Sequence, residues 1–324
     1  MDLWDTVLFE IGGLPVYGYG AAVAAAALLF CSLLLIRARK NGLFAAAGAC
    51  ALSVFFGFVF SRLLYTVTDQ VPLSHFSAEM LIRFDAGGFS MYGALLGAAA
   101  GCALAARWSG NGAPKLMDAL APCLMLFILI VRVAEWGGSL GLSRELTEER
   151  DPWLRETFLA ADQDGYRYLR VYLLEAVAAL ILLIILLADR KRRPAGNVML
   201  RAMLLYGAVQ TLMESLRYDQ HMKFGFVGVQ HILSYAVLCL ALVILILRRR
   251  RTEKKDRTAM TAAILILPAA GISVLLEFLI DRTSVSRYLL YAVYALLMGG
   301  MAGLGFTLLK RTEKEHISAL KGNA

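Results

Sequence analysis

Several stretches of this chain stay apolar for eighteen or more positions, and no other feature limits its fold as strongly. A helix of about 20 residues crosses the roughly 30 Å hydrocarbon core of a bilayer, so runs of this length read as transmembrane helices. Composition agrees, with 59% of residues hydrophobic and 18% charged, where ordinary soluble domains carry roughly 25% charged residues. The expected fold is all-α: a polytopic transmembrane helix bundle of about nine spans.

The spans fall at about 17–36, 43–67, 89–106, 116–133, 169–188, 198–216, 227–247, 259–280 and 288–309. Residues 2–16 read as a short interfacial lead-in. The acidic start Met1-Asp2-Leu3-Trp4-Asp5 is unlike the basic start of a cleavable signal peptide, so the first span is expected to stay. A polar loop at 68–86 holds Asp69, His75, Glu79, Arg83 and Asp85. The longest loop, 134–168, carries Thr147-Glu148-Glu149-Arg150-Asp151-Pro152-Trp153, which resembles a helix start with proline early. In the third span Gly93, Gly97 and Gly101 recur four apart, the spacing that lets membrane helices approach closely.

Nine spans place the turns after spans one, three, five and seven on one side. Those turns hold Arg37, Arg39 and Lys40, then Arg107 and Lys115, then Arg190 to Arg193, and finally Arg248 to Arg257. The positive-inside rule then sets the N-terminus outside and the C-terminus in the cytoplasm. The net charge of +8 sits in these turns, where lipid headgroups account for it, and nucleic acid is not an expected partner. The cysteines Cys31, Cys50, Cys102, Cys123 and Cys239 all lie in apolar segments with no CxxC spacing. They read as small packing residues.

On this topology Tyr19, Arg62, Tyr92, Arg132, Glu135, Glu214 and Arg217 lie near the outer ends of spans. Ionisable groups at membrane depth are costly, which makes them candidate functional residues. Snorkelling to the interface is the alternative for each, although short carboxylate stems snorkel poorly. Arginines with carboxylates suit a phosphate-bearing amphiphile, because guanidinium bonds phosphate oxygens in a planar, bidentate way. No GxSxG, HExxH, P-loop or GxGxxG motif accompanies them.

At these residues the chain resembles the prolipoprotein diacylglyceryl transferase family. Pro15-Val16-Tyr17-Gly18-Tyr19-Gly20 is similar to that family's opening segment, and Arg62-Leu63-Leu64-Tyr65 to its second-helix Gly-x-Arg-x-x-Tyr pattern. Gly87-Gly88-Phe89-Ser90-Met91-Tyr92-Gly93-Ala94-Leu95-Leu96-Gly97 resembles its Gly-Gly-x-x-x-His-Gly-Gly-x-x-Gly stretch, with Tyr92 at the histidine. Arg132-Val133-Ala134-Glu135 falls at its Arg-x-Gly-Asn core, with Glu135 at the asparagine. Tyr206-Gly207 through Glu214 and Arg217 tracks its Tyr-Gly-x-x-Arg-x-x-x-Glu-x-x-Arg motif, with Gln210 at the first arginine. A His-Pro pair expected before Leu174-Glu175 is absent, and His231 stands where the family has glutamine.

The resemblance implies a plasma-membrane transferase of bacterial type that moves a diacylglyceryl group from phosphatidylglycerol to a lipobox cysteine of a preprolipoprotein. It implies no cofactor, and its partners are those two substrates and membrane lipids. Arg132, Tyr92 and Glu214 take catalytic roles; Tyr19, Arg62, Arg132, Glu135 and Arg217 bind substrate. The alternatives are a lipid-binding or accessory protein that kept the fold without catalysis and, behind it, a solute transporter. The transporter reading would require an internal repeat, and no convincing one is evident. Residues 1–250 are expected to form the family core. Residues 251–324 add a basic linker, a two-span hairpin and a polar tail; truncation after about residue 257 is expected to lower stability or partner binding but to leave lipid binding intact.

Overall fold

The computed structural model describes residues 6–68, 88–138, 140–149, 151–163, 165–188, 193–218, 223–224, 227–253, 256–283 and 285–322. The expected acidic loop lies outside these from residue 69 to 87, as do Arg190, Lys191 and Arg192 of the third basic turn. Among the described residues nine helices have eighteen residues or more: α1 Gly18–Ala38, α2 Leu43–Thr68, α3 Met91–Trp108, α4 Ala113–Ala134, α6 Val171–Ala188, α7 Asn197–Leu216, α8 Val229–Thr252, α9 Arg257–Arg282 and α10 Arg287–Gly322. Among the described residues a further α-helix, α5 Pro152–Arg155, is a single turn, and a 3-10 turn spans Arg39–Asn41.

Seven of the nine are long and apolar enough to cross a membrane. The other two, α3 and α7, fall short for opposite reasons. Glycine and alanine fill α3 with small side chains of little hydropathy, while α7 carries Arg201, Gln210 and Glu214. One is a packing helix and the other delivers polar groups to the interior. Large apolar side chains such as Leu28, Ile36, Phe44, Ile184, Leu267 and Leu296 stand exposed around the bundle. In water so much contiguous apolar surface would drive association, whereas acyl chains solvate it.

The glycine spacing in α3 is used as expected. A Cβ at Gly93, Gly97 or Gly101 would collide with the α2 backbone at Phe60–Ser61, Phe56–Gly57 or Leu52–Ser53. Ser53 Oγ donates to the Ala98 carbonyl across this seam at 2.9 Å. Gly97→Leu is therefore expected to cost about 1–3 kcal/mol through overpacking. That cost would be read as a lower melting temperature of the detergent-solubilised protein. Unchanged melting would mean the two helices do not meet on this face.

Two loop regions differ from expectation. The lead-in is an antiparallel hairpin, β1 Val7–Ile11 with β2 Leu14–Tyr17, turned at Gly12 and Gly13, both at positive φ. The longest loop folds into a three-stranded antiparallel sheet of β3 Leu142–Glu145, β4 Ala160–Gln163 and β5 Tyr166–Arg170, in the order β3-β5-β4. The helix start at residues 147–153 yields only α5, with Pro152 in its first turn. A two-stranded ladder, β6 Lys223–Phe224 with β7 Val227–Gly228, leads into α8.

One apolar core joins α1 to α4 with α6 and α7, and a second joins α7 and α8 with α9 and α10. At the end of the bundle away from these sheets, Asp118 caps α7 by accepting from Gly196 N at 2.7 Å and Met199 N at 2.9 Å. Arg248 donates to Asn197 there at 3.1 Å.

Candidate active site

Antiparallel helices bring the C-terminal end of α4, the second turn of α6 and the C-terminal end of α7 to one end of the bundle. Arg132 and Glu135 come from the first, Glu175 from the second, and Glu214 and Arg217 from the third. Nη1 of Arg132 donates to both oxygens of Glu135, at 2.7 and 2.9 Å. Its Nε lies 2.9 Å from Glu175 Oε2. Those two atoms are buried and out of hydrogen-bond alignment with each other. On the other side, Nη1 of Arg217 is 3.5 Å from Glu175 Oε1 and 3.8 Å from Glu214 Oε1. Gln210 lies one turn before Glu214. Its amide donates to Glu214 Oε1 at 3.0 Å and also to Glu175 Oε1.

Snorkelling is excluded for both arginines, since each side chain is only 5% exposed. They point into protein and are matched by carboxylates. Glu175, with a side chain 0% exposed, is the node of the array, because one oxygen faces each guanidinium. It is absent from the expected site residues. The signal was available, as Glu175 is the sole charged residue in the 18-residue helix α6.

Tyr92 starts α3 beneath the same array. Its hydroxyl bonds to Ser234 Oγ on α8 and to Tyr206 on α7, and Glu214 and Glu175 lie within its electrostatic reach. Tyr19, half-buried in the first turn of α1, stands in the field of Glu135, Arg132 and Arg217. Arg62 makes a different set of contacts. It donates to the Gly88 carbonyl at 2.7 Å and packs over the rings of Tyr65 and Phe89, at 5.8 and 5.6 Å. Those contacts hold the approach to α3, where Gly88 has φ +80 and Ser90 caps the helix by accepting from Gly93 N at 3.3 Å.

A buried pair of guanidiniums at one end of an apolar bundle is suited to an anionic headgroup whose tails remain in lipid. A family model described as prolipoprotein diacylglyceryl transferase matches residues 6–247.

The chain belongs to the prolipoprotein diacylglyceryl transferase family.

A phosphatidylglycerol–prolipoprotein diacylglyceryl transferase of Bacillus velezensis is 25% identical over 274 residues, covering 79% of this chain and 97% of the relative. Proteins with the same description from Bacillus mycoides and Bacillus cereus are each 24% identical over 261 residues, covering 78% of this chain and 95% of the relative. In this member of the family, the residues that depart from the pattern are bonded into the cluster. Glu135 pairs with Arg132, Gln210 links Glu175 to Glu214, and Tyr92 bonds to Ser234.

Proposed function

We propose that the chain moves a diacylglyceryl group from phosphatidylglycerol to the lipobox cysteine of a preprolipoprotein, at the outer face of a bacterial plasma membrane. The observation that carries this reading is the buried Arg132–Glu175–Arg217 array in a member of the diacylglyceryl transferase family. Arg132 and Arg217 hold the phosphate, and Tyr19 and Glu135 orient the lipid head. Arg62 supports the start of α3 from which Tyr92 projects.

The chemistry is a displacement at carbon. The cysteine sulfur forms a bond to the terminal glycerol carbon of the diacylglyceryl group, and the carbon–oxygen bond to phosphate breaks. Glycerol phosphate leaves with the electron pair, next to the two guanidiniums. The thiol, with an ordinary pKa of about 8.5, must give up its proton. A neutral phenol, with a pKa of about 10, is a weak base, so Tyr92 relays the proton and the Glu214 carboxylate receives it.

The described basic residues Arg37, Arg39, Arg107, Lys115 and Arg248 to Arg251 lie at the opposite end of the bundle from this array, which supports an N-terminus outside and a C-terminus in the cytoplasm. Residues 1–250 form the catalytic core in this reading, and residues 251–324 the linker, hairpin and tail. The test supplies a lipobox peptide to one face of sealed membrane vesicles containing labelled phosphatidylglycerol. Right-side-out vesicles should yield the thioether product and inverted vesicles none. No product in either refutes the activity, and product from inverted vesicles alone refutes the orientation.

A further inference from the structure

The family match ends at residue 247, so α9 and α10 have no role in the reading above. Their contacts converge on the site from outside. Tyr291 of α10 donates its hydroxyl to the Ser215 carbonyl at 3.2 Å. That carbonyl lies in the last turn of α7, where helices leave acceptors without intrahelical partners. Ser215 follows Glu214 directly and precedes Arg217 by two residues. Asp281 of α9 forms an ion pair with Arg144 of β3. The Arg144 guanidinium stacks over the ring of Tyr218 at 4.7 Å, and Tyr218 N donates to the Leu142 carbonyl at 2.9 Å. The hairpin thus holds Ser215 directly and reaches Tyr218 through Arg144, one residue on each side of Arg217.

A third contact reaches the Tyr92 side. His231 of α8 lies one turn before Ser234, the partner of Tyr92. The His231 ring faces Glu277 of α9 at 3.5 Å and Ser273 of α9 at 3.4 Å, and Tyr294 of α10 also bonds to it. This network is buried within the membrane-spanning bundle, where polar groups are costly unless partnered. It therefore fixes α9 and α10 to α8 at one register. The far end of the hairpin is tied as well. Glu313 pairs with Arg193 and Arg201, while Arg249 pairs with Asp256 and Glu315.

We infer that α9 and α10 are a positioning element of the transfer site, with Tyr291 and Asp281 holding the Ser215–Tyr218 segment so that Arg217 and Glu214 face Arg132 and Glu175. This inference rests on the transferase reading. It departs from the expectation that the hairpin is dispensable for lipid handling, because its contacts fall on the turn that bears Arg217.

The experiment uses full-length protein with phosphatidylglycerol and a lipobox peptide. Tyr291→Phe and Asp281→Asn should each lower kcat/KM roughly five- to tenfold, and the double variant more. Asp281→Glu, which keeps the charge toward Arg144, should stay within about twofold of wild type. Melting temperatures should not follow these losses. Wild-type kinetic constants in the folded double variant overturn the inference. So do losses in step with melting temperature, since that pattern marks a structural brace only. An inactive wild-type chain refutes the transferase reading, and this inference falls with it.

Discussion

An Arg132→Ala variant should lose roughly ten- to a hundredfold in affinity for phosphatidylglycerol, the value of a charge-assisted hydrogen bond worth about 1.5–3 kcal/mol. Arg132→Lys should weaken binding without abolishing it. Lysine keeps the charge but offers a single nitrogen, whereas Arg132 uses Nη1 for Glu135 at 2.7 Å while Nε faces Glu175 at 2.9 Å. The alanine variant also leaves two carboxylates buried without their cation, and breaking a buried pair costs on the order of 3–5 kcal/mol of stability. Affinity is therefore measured on protein shown to be folded, and Glu135→Gln serves as the control that keeps the shape. It should weaken binding less than Arg132→Ala, because it removes only the charge that orients the guanidinium and the lipid head. If the folded alanine variant bound phosphatidylglycerol like wild type, Arg132 would not be part of the headgroup site.

Glu175→Gln should lower both stability and transfer, the former by about 3–5 kcal/mol and the latter by ten- to a hundredfold or more. Glutamine fills the same volume but places no negative charge between two guanidiniums in a site of low dielectric. Their mutual repulsion then displaces Arg217, the more loosely held of the two at 3.5 Å from Glu175. The replacement amide also faces the Gln210 side chain, which donates to the native carboxylate. Glu175→Asp retains the charge with a shorter reach and should fall between the two. A double-mutant cycle of Glu175→Gln with Arg132→Lys checks the assignment through melting temperature and transfer rate. Coupling of about 0.5–3 kcal/mol is expected for groups in one network. Simple additivity would mean that Glu175 does not organise Arg132.

Sequence determined the elements because the bilayer imposes a length and a polarity on every span. Eight of the nine long helices begin and end within about five residues of their expected positions, from α1 at Gly18–Ala38 to α9 at Arg257–Arg282, whereas α10 starts as expected but runs on through the polar tail to Gly322. Alternation of direction was equally legible. It placed Tyr92, Arg132, Glu135, Glu214 and Arg217 at one end of the bundle, and the described contacts bring them together there. The glycine spacing in α3 announced its contact with α2, since only a residue lacking Cβ fits against another backbone. Tertiary structure alone decided which charges meet. Counting spans gives the depth of a side chain in the membrane but not its rotation about the helix axis. Glu175 is therefore absent from the expected site residues, although α4 and α7 turn Arg132 and Arg217 toward it. For the same reason the bond from Arg62 to the Gly88 carbonyl was not legible. The strands of the long loop were hidden because three short, polar segments lack the periodicity that a half-buried strand shows. The place of α9 and α10 was hidden too. Their hydropathy calls for burial in lipid, but bonds such as Tyr291 to Ser215, 76 residues apart, form only once the bundle has closed.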